Sequence, residues 1–263
     1  MTPGTAAVRI GLATQTAHVT FQDLKPIAAV LQTQMQQHVA PAWNVTATVE
    51  AWPNAAVIPN DMSPIFIVDA TEHNHGGLHT ITSNGRAWAK VLVTRDWHLG
   101  ASHECIELLI DPTGERTMPG LALQIVDGTL QDGTDRVTYL VEACDPLEDP
   151  AHSYLIDGIV VSDFYTQAYF DDAHRPGIAY SHAGSLTAPR TILRNGYLSW
   201  KDAAGRFHQI RNFDGPQQID ITDAIAALAL DTPLSAREMI DRVTITRRVD
   251  PTNHLPPLQP TPE

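Results

Sequence analysis

Between residues 22 and 38 the apolar side chains fall at Leu24, Ile27, Ala28, Leu31 and Met35. That spacing predicts a helix with one buried face, and Pro41 is expected to end it. Around it the period changes. Residues 7–13 (AVRIGLA) read as a first strand, and residues 45–52 (VTATVEAW) alternate and are rich in β-branched side chains, as half-buried strands do. Residues 64–68 (PIFIV) form a short continuous apolar run, the mark of a strand buried on both faces. The His- and Gly-rich stretch DATEHNHGGLHT reads as a loop, and residues 88–94 (WAKVLVT) as another strand. The stretch that follows, WHLGASHECIELLIDP at residues 97–112, returns to helical spacing.

The second half is less regular. Residues 121–126 and 136–141 predict strands around the turn DGTLQDGTD, and residues 156–162 a further strand before the short segment FYTQAYF. Residues 197–200 and 207–210 predict a hairpin about KDAAG, and residues 234–243 a short helix. The fold class expected is α+β: a small mixed sheet backed by helices, then a strand-rich C-terminal part. The parts expected are 1–112, 113–250 and a proline-rich, disordered tail over 251–263.

Composition narrows the function classes. The chain has 263 residues, long enough for a substantial core. Its formal net charge of −13 argues against non-specific binding to nucleic acid or to an anionic membrane. No stretch reads as a signal peptide or a membrane span, so a cytoplasmic or virion-associated location is expected. Two cysteines, Cys105 and Cys144, make no disulfide framework.

The chemistry lies on the last helix of the first part. With His103 at zero, Glu107 lies about 40° around the helix axis, Gly100 about 60°, Asp111 about 80° and Glu104 about 100°. The other directions hold Leu99, Ala101, Cys105, Ile106, Leu108, Leu109 and Ile110. A narrow polar stripe on a greasy helix predicts burial with the stripe facing a cleft. Carboxylates on one buried face repel one another, and the sequence offers no Lys or Arg between Arg95 and Arg116. A metal ion resolves this. His103 and Glu107, one turn apart, can share an ion as the two histidines of a His-Glu-x-x-His helix do, which puts Glu104 at the place of the general base. The plainer alternative is a helix start capped by Ser102, with Glu104 at the positive end of the dipole, His103 in the core and Asp111-Pro112 as terminator.

ASHECIELLIDP resembles the signature of a group of uncharacterised bacterial and phage-type proteins with a zincin-like metalloprotease core. LVEACDPLED, YLIDGIVVSDFYTQAYF and NGYLSW resemble further blocks of that group. The chain is similar, more distantly, to the plant phosphate-induced (exordium-like) proteins, which carry a His-Glu-x-x-Glu helix and a later Glu-x-x-Asp block, here Glu142 to Asp145. The resemblance implies a zincin-like core in which an N-terminal helix and a small mixed sheet precede the metal helix. It also implies that an edge strand within residues 76–93 binds an extended peptide.

On this reading the protein is a metal-dependent peptidase. His103, Glu107 and Glu142 hold the ion, and Glu104 takes a proton from the metal-bound water. Asp111 and Asp145 orient the ligands. Zinc is the first expectation, with manganese or calcium as alternatives. His79, within EHNHGGLH beside His73 and His75, is either an alternative ligand or one more residue of a polar loop; the loop is the expected role. Cys105, about 200° from His103, should face the core, and Trp43, Trp52, Trp88 and Trp97 read as core aromatics. The rival class is a non-catalytic binding or structural protein on the same scaffold, with an ion that only stabilises the fold.

Overall fold

The computed structural model describes residues 7–70, 76–228 and 234–244. It is a mixed α+β protein whose chain divides into two compact units. The first runs to Leu109 and takes in Leu155–Val161; the second comprises Ile110–Tyr154 and Ser162–Thr246. The boundary falls in the last turn of the greasy helix instead of after Pro112. The tail expected at 251–263, and His73 and His75, lie outside the described residues.

The first unit is built on a five-stranded sheet. Its strands are β1 (Val8–Thr14), β2 (Ala47–Ala51), β3 (Ser63–Val68), β4 (Gly77–Ile81) and β5 (Ala87–Leu92). They lie in the order β2-β1-β3-β5-β4. All neighbours are parallel except β4, which runs antiparallel to β5 at the edge. Parallel neighbours need crossovers, and helix α1 (Phe21–Gln34) supplies the one from β1 to β2. A capping box starts α1: Thr20 accepts from the Asp23 amide, and the Asp23 carboxylate accepts from the Thr20 amide at 2.8 Å. Its Leu24, Ile27, Ala28 and Leu31 are buried, as the spacing predicts.

Pro41 does not end this helix. After Gln34 the backbone widens into a π-turn over Met35–Val39, in which the Ala40 amide reaches back to the Met35 carbonyl. The extra residue in that turn accommodates the missing N–H of proline. A final turn, α2 (Ala40–Trp43), follows and is closed by the left-handed Asn44. Helix α3 (Trp97–Ile110) comes directly after β5. The core of the unit includes Ile10, Leu12, Leu24, Leu31, Ile65, Ile67, Val91, Ala101, Cys105 and Leu108, each fully buried. On the sheet's other side Ala13, Ile58 and Met62 form a smaller cluster with Trp52 and Phe66. Of the four tryptophans read as core, Trp43 is buried while Trp52, Trp88 and Trp97 are half-buried.

The second unit carries another five-stranded sheet, in the order β12-β11-β10-β7-β6. Here β6 (Thr117–Val126) and β7 (Thr129–Leu140) form one long hairpin. It turns on Asp127-Gly128, both at positive φ, the signature of a tight type I′ turn. The second Asp-Gly of DGTLQDGTD therefore lies within β7, not in the turn. A short hairpin, β8 (Tyr154–Ile156) and β9 (Ile159–Val161), stands apart from both large sheets. The predicted hairpin about KDAAG is β10 (Tyr197–Lys201) and β11 (Phe207–Asn212), and β12 (Pro216–Asp220) adds a strand the sequence pattern did not reveal. Helices α4 (Thr222–Ala226) and α5 (Ala236–Val243) pack Ile225 and Ile240 against Leu140 and Ile221. Among the described residues no helix is long and apolar enough to cross a membrane.

Candidate metal centre

Helix α3 is buried from Ala101 to its end, except for the half-buried His103. The helix lies close on the sheet because Gly100 has no side chain: a Cβ there would come 3.0 Å from Val91 of β5. Ser102 does not cap the helix, which starts at Trp97. It sits in the second turn and donates to Gln34 Oε1 of α1 at 2.8 Å, in a buried contact. Cys105 faces the core, as its angle predicts, and burial pushes its thiol pKa up. His98 is lowered by burial, with Asp96 opposing.

The stripe faces β4. The stretch GGLHT is a strand from Gly77 onward, not a loop, and it pairs Gly77 with Val91 and His79 with Ala89. Alternate residues of a strand share a face, so Gly77 and His79 both look at α3. A Cβ at Gly77 would lie only 2.3 Å from Glu104 Oε1; the glycine leaves the space that the carboxylate fills. His79 Nδ1 stands 3.4 Å from Glu104 Oε2 and 3.7 Å from Glu107 Oε2. On the other side His103 Nε2 stands 3.3 Å from the same Glu107 oxygen. The His79 and Glu107 side chains are fully buried, Glu104 is 3% exposed and His103 14%. Glu107 is thus the hub of the cluster, and His103 is its most exposed member.

Two buried carboxylates against a buried histidine are costly without a cation. Among the described residues, neither ring nitrogen of His79 nor Oε2 of Glu104 has a hydrogen-bond partner. One ligand atom from each of His79, Glu104 and Glu107 can be chosen so that all lie within 4.8 Å of one another. Such a donor set, one imidazole and two carboxylates, can hold a divalent metal ion. His79, expected to belong to a loop, is therefore part of the candidate centre. The sequence signal was thin: a Gly-Gly pair two residues before it, with no β-branched run to announce a strand.

The remaining residues of the sequence reading stand in the second unit. Glu142 is buried and paired with Arg237, which also donates to Asp241 at 2.8 Å. A carboxylate engaged by a guanidinium has one oxygen committed, and the other, Oε1, is buried without a hydrogen-bond partner among the described residues. Asp111 is committed to the backbone. Its oxygens accept from the amides of Glu115 at 3.1 Å and Arg116 at 2.7 Å, so it shapes the turn after α3. Arg116 in turn donates to the Ile110 carbonyl at the helix end. Asp145 is buried and opens a short 3-10 turn, Asp145–Leu147.

The edge strand has a further property. The Leu92 amide bonds the Gly76 carbonyl at 2.9 Å and the Thr82 amide bonds the Arg86 carbonyl at 2.8 Å. Antiparallel pairs alternate between bonded and non-bonded. The residues paired through their main chains are therefore Leu78 and Thr80, while the amides and carbonyls of Gly77, His79 and Ile81 point off the sheet.

Compared with known proteins, the chain matches no family model, no curated protein and no solved structure.

Proposed function

We propose that the protein is a metal-dependent hydrolase of the zincin type that cleaves peptide bonds. The observation that carries the reading is the buried cluster on α3 and β4: two carboxylates and two histidines, in which both His79 nitrogens and Glu104 Oε2 have no hydrogen-bond partner among the described residues. The order of elements supports it. A helix, a small mixed sheet and an antiparallel edge strand precede the His-Glu helix, the layout that the resemblance implies.

In this reading His103 and Glu107 hold the ion. When bound, a divalent ion polarises the scissile carbonyl and makes water a better nucleophile. Glu104 accepts the proton of the attacking water and passes it to the leaving amine. The outward-facing main chain of Gly77, His79 and Ile81 receives an extended peptide as an added strand beside the carboxylates. A glutamate in the second ligand place lowers the net charge of the centre, which moderates its electrophilic power.

Glu104→Gln should retain the ion held by His103 and Glu107 and lose cleavage of a mixed peptide library supplied with zinc or manganese. A His103→Ala protein that keeps its full metal content, or cleavage that survives Glu104→Gln, would sink the assignment. The second reading, a zincin-like binding protein with a fold-stabilising ion, is favoured by the depth of the cluster, since only His103 has appreciable exposure. It predicts that chelation lowers the melting temperature while no peptide in the library is cut.

A further inference from the structure

The deeper half of the cluster has the makings of a cation site separate from the His103–Glu107 pair. His79 lies on β4, is 0% exposed at its side chain, and brings two nitrogens with no hydrogen-bond partner among the described residues. Its Nδ1 stands 3.4 Å from Glu104 Oε2 and 3.7 Å from Glu107 Oε2, and Glu104 Oε2 is itself buried without a hydrogen-bond partner among the described residues. Leaving such atoms unmatched in a protein interior is costly. A cation between them satisfies the imidazole lone pair and both carboxylates together. The set of mutually close ligand atoms that holds His79, Glu104 and Glu107 does not include His103. One ion therefore does not draw on all four residues. Glu107 is common to both halves, since its Oε2 is 3.3 Å from His103 and 3.7 Å from His79.

We propose that His79, Glu104 and Glu107 form a second cation position, so that the centre takes two divalent ions bridged by Glu107. The proposal rests on the hydrolase reading for the first position. One nitrogen and two carboxylates suit zinc or manganese. A carboxylate shared by both positions places the ions about 3.5–4 Å apart, the spacing at which two ions clamp the attacking and leaving atoms of one substrate. Glu104 then binds through Oε2 and keeps Oε1, the oxygen beside Gly77, for the proton.

The test is metal stoichiometry of the full chain. The protein is stripped with chelator, reloaded with zinc or with manganese, dialysed and assayed for metal and protein. Two ions per chain are expected, with a spin-coupled signal in the electron paramagnetic resonance of the manganese form. His79→Gln should fall to one ion and lose the coupling, and His103→Ala should also fall to one. Gly77→Ala removes no ligand but displaces Glu104, and should weaken the second ion alone. Circular dichroism melting of each variant identifies those that fold. One ion in the native chain, lost in His103→Ala and kept in His79→Gln, overturns the second position and leaves the hydrolase reading intact. One ion lost in His79→Gln and kept in His103→Ala overturns the assignment of the first position and with it the bridge. Two ions retained in both His79→Gln and Gly77→Ala overturn the proposal outright.

Discussion

Gly77→Ala is the smallest change that reaches the centre. An ideal Cβ at this position would lie 2.3 Å from Glu104 Oε1, 2.8 Å from Cγ and 2.9 Å from Cδ, where ordinary contact begins at 3.4 Å. Rotating the last bond of Glu104 does not relieve this, because Cγ is also too close. The whole end of the side chain has to withdraw by about 1 Å, within a packed interior that resists such shifts. The backbone itself raises no objection. Gly77 is in a strand and is not at positive φ, so alanine there would be neutral or mildly favourable if nothing stood in its way. The expected cost is therefore that of overpacking, about 1–3 kcal/mol. That lowers the melting temperature by about 2–4 °C per kcal/mol for a domain of 150–250 residues. A displacement of about 1 Å of a reacting group can also cost about 10²-fold in rate.

A double-mutant cycle isolates the cause. Gly77→Ala should destabilise the native chain, measured by thermal unfolding, and cost almost nothing in a Glu104→Ala background, where the overlap is gone. If the alanine costs the same in both backgrounds, the strain lies in β4 and not against Glu104, and the seating of that carboxylate over the glycine is wrong.

Three other outcomes follow from the same geometry. Ser102→Ala removes the donor to buried Gln34 Oε1 and should cost about 1 kcal/mol in urea unfolding, without changing metal content. Asp202 titrates below the usual carboxylate range: burial opposes this, but bonds from the Arg206 amide, the His208 ring and the Arg206 guanidinium outweigh it. A depressed folded-state pKa means stability that is present above about pH 4, the unfolded value, and is lost as pH falls towards the folded one; Asp202→Asn should flatten that acid limb in fluorescence-monitored unfolding. Cys105 is fully buried with its thiol pKa raised by that burial, so a thiol reagent at pH 8 should label it only after denaturant is added, and rapid labelling of the native protein would contradict its placement.

What the sequence made legible and what it hid divide along one physical line. The stripe on α3 was readable because a helix fixes the angle between any two of its residues, whatever lies around it. His103 and Glu107 accordingly meet as their spacing requires, and Cys105 turns away. The π-turn before Pro41 was hidden because Leu31, Met35, Val39 and Trp43 keep one face of the helix buried through it, so that a local breaker was absorbed instead of obeyed. The ion pair of Glu142 was hidden in a different way: Arg237, which engages it, lies 95 residues along the chain, beyond any local pattern.

His79 shows most clearly why a strand residue is harder to read than a helix residue. Its place in the cluster is set by the register of β4 on β5, and a slip of one residue would turn Leu78 or Thr80 to α3 in its stead. Nothing in GGLHT specifies that register. It is set at the turn that follows, where Thr82 Oγ1 accepts from the Arg86 amide at 3.0 Å and the Arg86 side chain donates to the carbonyls of Met62 and Pro59 at 2.7 and 2.9 Å. These bonds tie the β4–β5 turn to the chain leading into β3, and so fix where His79 falls. A sequence that loses Arg86 keeps every residue of the candidate centre, but the anchor that holds β4 in register is gone. The cluster is thus written in two places: its helix half in the motif, its strand half in an arginine that touches none of it.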